Sequence, residues 1–112
     1  MYSDPALRLA DIIENCERIA EYIKDQDRVT FEGNGLVRDA VERCLERICE
    51  AAVRLGDQAA TLMPNQPWHS IRGMGNRLRH AYDRLNLDVV WDIIKRDLPS
   101  LESDARKRLS EL

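Results

Sequence analysis

Aromatic residues are scarce in this chain of 112 residues: one Phe, two Trp and three Tyr, 5% of the whole, so a core must rest mainly on Leu, Ile, Val and Ala. The three cysteines, Cys16, Cys44 and Cys49, form no CxxC and no metal-ligand spacing, which excludes a zinc ribbon or a disulfide framework. Their odd number, with no signal peptide, leads us to expect the reducing cytoplasm. No apolar run approaches the roughly 20 residues that span a bilayer, so no membrane partner is expected. A basic excess is also missing: the net charge of -3 argues against a general, non-specific nucleic-acid binder. Two histidines and no clustered acids fit neither zinc nor di-metal spacing, and no glycine loop cradles a phosphate; no metal and no cofactor are expected. No strand alternation, repeat, low-complexity tract or linker appears, which leaves one domain over residues 1–112.

What is present is helical periodicity. Ser3-Asp4-Pro5 is a helix start, and apolar residues follow at Leu9, Ile12, Ile13, Cys16, Ile19, Ala20 and Ile23, predicting a first helix from about Asp4 to Lys24. Asp25 to Phe31 reads as a connecting loop. Gly33-Asn34-Gly35 breaks the chain, and Leu36, Val37, Ala40, Val41, Cys44, Leu45, Ile48, Ala51, Ala52 and Leu55 form a second stripe that Gly56 ends. A short turn of helix fits Asp57 to Pro67. Pro67-Trp68 opens a third helix reaching Tyr82 or Asp83, and Leu85 to Asp88 is a turn. Val89, Val90, Ile93 and Ile94 mark a fourth helix, interrupted near Leu98-Pro99, with Asp97 as the cap of a last piece carrying Leu101, Ala105 and Leu109. Such stripes joined by short loops predict an all-α, up-and-down bundle of four to five helices. A core of this size is modest, and oligomerisation is one way to hide leftover apolar surface.

The third helix concentrates the chemistry. From Ser70 to Leu85 there are four arginines, Arg72, Arg77, Arg79 and Arg84, against one acid, Asp83. Residues four apart share a helix face, so Asn76 and His80 are neighbours, Arg72 lies a further turn back and Arg77 is three before the histidine. Histidine exchanges protons near neutral pH, and arginine holds a phosphate with forked donors. One face thus offers an acid–base group for a ribose 2′-hydroxyl or a leaving 5′-oxygen, and cations for charge on phosphorus. One histidine does not easily serve both sides of the phosphorus; two copies of the helix across a dimer axis supply the second group. The same spacing also describes a solvated helix face, and His69, beside Trp68, reads as a surface residue. Gly73 and Gly75 cost helix stability, roughly 1 kcal/mol each relative to alanine, and suggest a close approach by another helix or a ligand.

The passage Ile71-Arg-Gly-Met-Gly-Asn-Arg-Leu-Arg-His-Ala-Tyr-Asp83, together with Leu87-Asp88-Val89-Val90-Trp91 and Asp97-Leu98-Pro99, resembles the HEPN domains, specifically the HepT-like toxins of prokaryotic toxin–antitoxin pairs. The resemblance covers nearly the whole chain. It implies an all-helical homodimer whose two motif helices line a shared cleft and cut RNA without metal, through an arginine and a histidine with four to six residues between them. It further implies a tyrosine two beyond the histidine, to which a partner nucleotidyltransferase antitoxin attaches AMP. His80 and Tyr82 match those positions, and Asn76 matches the polar residue beside the arginine. The arginine is displaced: the corresponding positions hold Gly75, Met74 and Gly73, with Arg77 closer to His80 and Arg72 one residue farther. Either Arg72 or Arg77 takes its place, or the chain is a catalytically weak or inactive dimer that the nucleotidyltransferase binds and modifies at Tyr82.

Overall fold

The computed structural model describes residues 4–80 and 87–112, with the side chains of 76–80 left aside. Its elements are α1 (Pro5–Tyr22), α2 (Arg28–Gly33), α3 (Gly35–Leu55), α4 (Gln58–Leu62), α5 (Trp68–His80), α6 (Leu87–Asp92), a π-helical turn (Ile93–Asp97) and α7 (Leu98–Ser110). Among the described residues there is no strand, and the fold is the expected all-α bundle. Helix α3 is its centre: α1 and α5 pack on it, and α7 packs on α1.

Local chemistry sets each start and stop. The Asp4 carboxylate accepts from the Ala6 N–H at 3.0 Å, and Pro5 occupies the first turn, where its missing N–H costs nothing. Asn34 accepts from the Val37 N–H at 3.1 Å and opens α3. Gly56, at φ 57°, ends it in a backbone region that a Cβ disfavours. The apolar stripes then meet: Leu9, Ile12 and Ile19 of α1 and Val41, Leu45 and Ile48 of α3 are almost fully enclosed. Ala20, counted in the first stripe, is exposed, and α1 ends at Tyr22 rather than Lys24.

Three local expectations are corrected. The stretch from Asp25 to Phe31 is not all loop: Arg28–Gly33 is a short helix closed by a reciprocal capping box. The Asp27 carboxylate accepts from the Thr30 N–H, and the Asp27 N–H donates to the Thr30 hydroxyl, both at 2.8 Å. The turn exists to deliver Phe31, fully buried, against Trp91 with ring centroids 5.2 Å apart. Leu36 is not a core residue: it is 83% exposed, on the outer side of α3. The chain is not interrupted at Leu98-Pro99, and Asp97 makes no side-chain cap. Its backbone stays helical, and the Leu98 N–H bonds five residues back to Ile93 O. Pro99 has no N–H to give and its ring would strike the carbonyl of Lys95; a turn widened by one residue absorbs both faults.

All three cysteines carry thiols buried in the core. Burial, and secondarily the Glu102 carboxylate, push the Cys16 thiol from 9.0 up to about 12, and burial raises Cys44 as well. A thiol at that value is about one part in ten thousand thiolate at pH 8, so it is chemically quiet. Native protein is therefore expected to leave Cys16 unmodified by iodoacetamide at pH 8 and to take up the label once unfolded, as read by mass spectrometry. The shift also sets a sign for stability. A thiol raised on folding stabilises below its unfolded value, so stability falls as pH climbs from about 9 toward 12.

Candidate functional site

Helix α5 is pinned at its start. The Trp68 indole is buried and its N–H donates to Met63 O at 2.9 Å, across the loop that follows α4. The Gln66 amide donates to the Asp104 carboxylate at 3.2 Å, tying the same loop to α7. Met74 is buried and Ile71 half-buried, so this side of α5 faces the core, where a cavity of about 90 Å³ lies between them, Ile48 and Leu101.

Arg72 does not stand among the outward-facing residues. Its guanidinium is half-buried and donates to Gly56 O at 2.7 Å and to Ala52 O at 3.5 Å. Those carbonyls lie at the end of α3, where the negative pole of the helix favours a cation. The contact fixes how α5 sits on α3. Sequence spacing could not reveal it, because the partners lie 16 and 20 residues away.

The opposite side of α5 is open. His69 is exposed, and Gly73, four residues on, is exposed too; a Cβ built on Gly73 would meet nothing within 4 Å. Among the described residues, therefore, no helix approaches Gly73, whereas Gly75 is buried. The helix continues to residue 80, so its register carries positions 76 and 80 along the stripe that His69 and Gly73 begin, with position 77 at its edge. The structure thus adds His69 to the face that the sequence suggested for Asn76, Arg77 and His80. Tyr82, the expected helix end there and the start of the turn at Leu85 lie outside the described residues.

The glycine makes a measurable distinction. If the stripe faces only solvent, Gly73→Ala stabilises the protein by roughly 1 kcal/mol, because alanine is the better helix former and finds room. If a second copy covers the stripe, the added methyl weakens association instead. Thermal unfolding at two protein concentrations separates the outcomes.

Beyond the motif, α6 is held by a clamp from α2. The Arg28 guanidinium donates to Asp88 at 2.8 Å and to Asp92 at 2.9 Å. Its hydrogen bond holds the Asp88 carboxyl below the usual carboxylate range. The two ends of the motif are thus anchored independently, Trp68 and Arg72 before it and Asp88 after it. Among the described residues, no three His, Cys, Asp or Glu side chains cluster so as to hold a metal ion, and no helix is long and apolar enough to cross a membrane.

Residues 12–108 match the family described as ribonuclease HepT-like. Among similar proteins, "Putative RNase MJ1380" of Methanocaldococcus jannaschii is 34% identical over 86% of this chain and 88% of its own length. "Probable ribonuclease HepT" of Thermococcus cleftensis is 33% identical over 88% of this chain and 90% of its own. "Putative RNase TTE0752" of Caldanaerobacter subterraneus is 29% identical over 96% of each. No solved structure matches. A match across most of the length, over a bundle whose third major helix carries the histidine, places the chain in the HepT-like ribonuclease family.

Proposed function

We propose that this protein is the toxin of a toxin–antitoxin pair, a metal-independent endoribonuclease that acts through His80 and Arg77 in a cleft between two copies of α5. The observation that carries this reading is the state of Arg72. With its guanidinium committed to the end of α3, Arg77, one turn before His80, is the one of the two candidate arginines left for the phosphate.

The chemistry is an internal displacement. A ribose 2′-oxygen attacks the adjacent phosphorus and gives its proton to one His80, acting as base. The 5′-oxygen leaves and takes a proton from the partner subunit's His80, acting as acid. The products are a 2′,3′-cyclic phosphate and a free 5′-hydroxyl, and no atom is drawn from a cofactor. Arg77 stabilises the extra negative charge on phosphorus, and Asn76 orients the imidazole or holds a phosphate oxygen. The open stripe at Gly73 supports the pairing, since a residue without a side chain lets a second helix come close. The experiment is incubation of the purified protein with RNA in excess chelator; the reading expects cleavage, and an inert protein contradicts it.

The displaced arginine favours a second reading: a weak or inactive HEPN dimer bound by a nucleotidyltransferase antitoxin and carrying AMP on Tyr82. Here no RNA is cut under any condition, and co-expression with the transferase adds the mass of one AMP, which Tyr82→Phe prevents. If the first reading holds, the same modification silences cleavage, because it places a charged group two residues from His80.

A further inference from the structure

The outer side of α3 carries a self-complementary charge pattern whose ion pairs, among the described residues, are made only within α3 itself. Val41, Leu45, Ile48 and Ala52 turn one side of this helix into the core, and the contacts with α5 lie on that same side. On the other side stand Asp39, Arg43, Glu46, Arg47, Glu50 and Arg54, at the three- and four-residue spacings that keep them on one stripe. Their signs alternate from an acid to a base. Read in reverse, every sign is inverted: Asp39 meets Arg54, Arg43 meets Glu50, and Glu46 meets Arg47.

A twofold axis performs that reversal. We propose that α3 pairs antiparallel with the α3 of a second copy about an axis between Glu46 and Arg47. Such a contact is isologous, so the one stripe supplies both halves and each charge finds its opposite. The apolar residues agree: Val53, half-exposed, falls opposite the small Ala40.

The stripe also walls a groove of about 560 Å³ between α3 and α1. At the groove lies Asn15, only 5% exposed. Its amide N–H donates back to Asp11 O at 2.8 Å, while its Oδ1 is enclosed with no donor. Of the pairs now made within the chain, Arg54 with Glu50 at 3.0 Å is solvent-exposed and Arg43 with Glu46 at 3.1 Å is partly so, and both are cheap to exchange.

This interface is independent of the α5 cleft, which lies on the far side of α3. Its test is sedimentation over a range of concentrations with wild type, Arg43→Glu, Glu50→Arg, and an equal mixture of the two variants. Either variant alone sets like charges opposite each other at both symmetric contacts. Its dissociation constant at this interface should rise on the order of tenfold or more, and dissociation of wild type should be promoted by salt. In the mixture, the substituted position of one chain faces the substituted position of the other with opposite charge. The unaltered Arg43 and Glu50 meet at the second contact, so association should return. Single variants that associate like wild type overturn the proposal; so does a mixture that stays dissociated, since the weakening would then not come from this register. RNA cleavage by the same samples reports separately on the α5 reading.

Discussion

Replacing His80 with alanine is expected to lower metal-free RNA cleavage by about 10²- to 10⁴-fold, the usual contribution of a positioned acid–base group. In the proposed cleft both proton transfers pass through this residue, one in each subunit, so the loss should fall at the upper end of that range. Stability should change little, because α5 is held elsewhere, by Trp68 and Arg72. The check is a rate measurement on a variant whose unfolding midpoint matches wild type. A folded His80→Ala protein that still cuts RNA at the wild-type rate would remove histidine from the mechanism.

The two candidate arginines should separate cleanly. Arg77→Ala is expected to reduce kcat by about 10²- to 10³-fold, the cost of removing one group that stabilises transition-state charge. Its stability should match wild type. Arg72→Ala should do the reverse first: it strips the cation from the Gly56 and Ala52 carbonyls and lowers stability by about 1–2 kcal/mol. Activity lost in Arg72→Ala should then reflect a shifted α5, and Arg72→Lys, which keeps a donor near those carbonyls, should recover part of both. Chemical denaturation and cleavage kinetics on the three variants decide the matter. A fully stable but dead Arg72→Ala would assign the phosphate to Arg72 instead.

Those roles illustrate what a sequence discloses. The two longest helices are legible because each buries a stripe of five or more apolar residues, as Leu9 to Ile19 and Val41 to Leu55 do. Helix α2 is not, since six residues burying one Phe make no periodicity; its sole signal is Asp27 followed by Thr30, a capping box without the usual Glu or Gln. The passage from α6 to α7 misleads for a different reason. A proline after a possible cap reads as a new start, yet a π turn lets the helix run through it. At the candidate site, the histidine and the basic helix are readable from spacing, and the displaced arginine from the resemblance. The commitment of Arg72 is not, because it is made by a tertiary contact to the end of α3. His69 reads as a surface residue, and it is exposed; only the course of α5 shows that it begins the same stripe.

The most direct measurement is the chemistry of the cut ends. RNA incubated with wild-type protein in excess chelator should yield fragments bearing a 2′,3′-cyclic phosphate and a 5′-hydroxyl, with His80→Ala producing neither. Fragments bearing a 5′-phosphate, cleavage that needs added metal, or no cleavage at all would contradict the assignment of His80 and Arg77 to a metal-free ribonuclease.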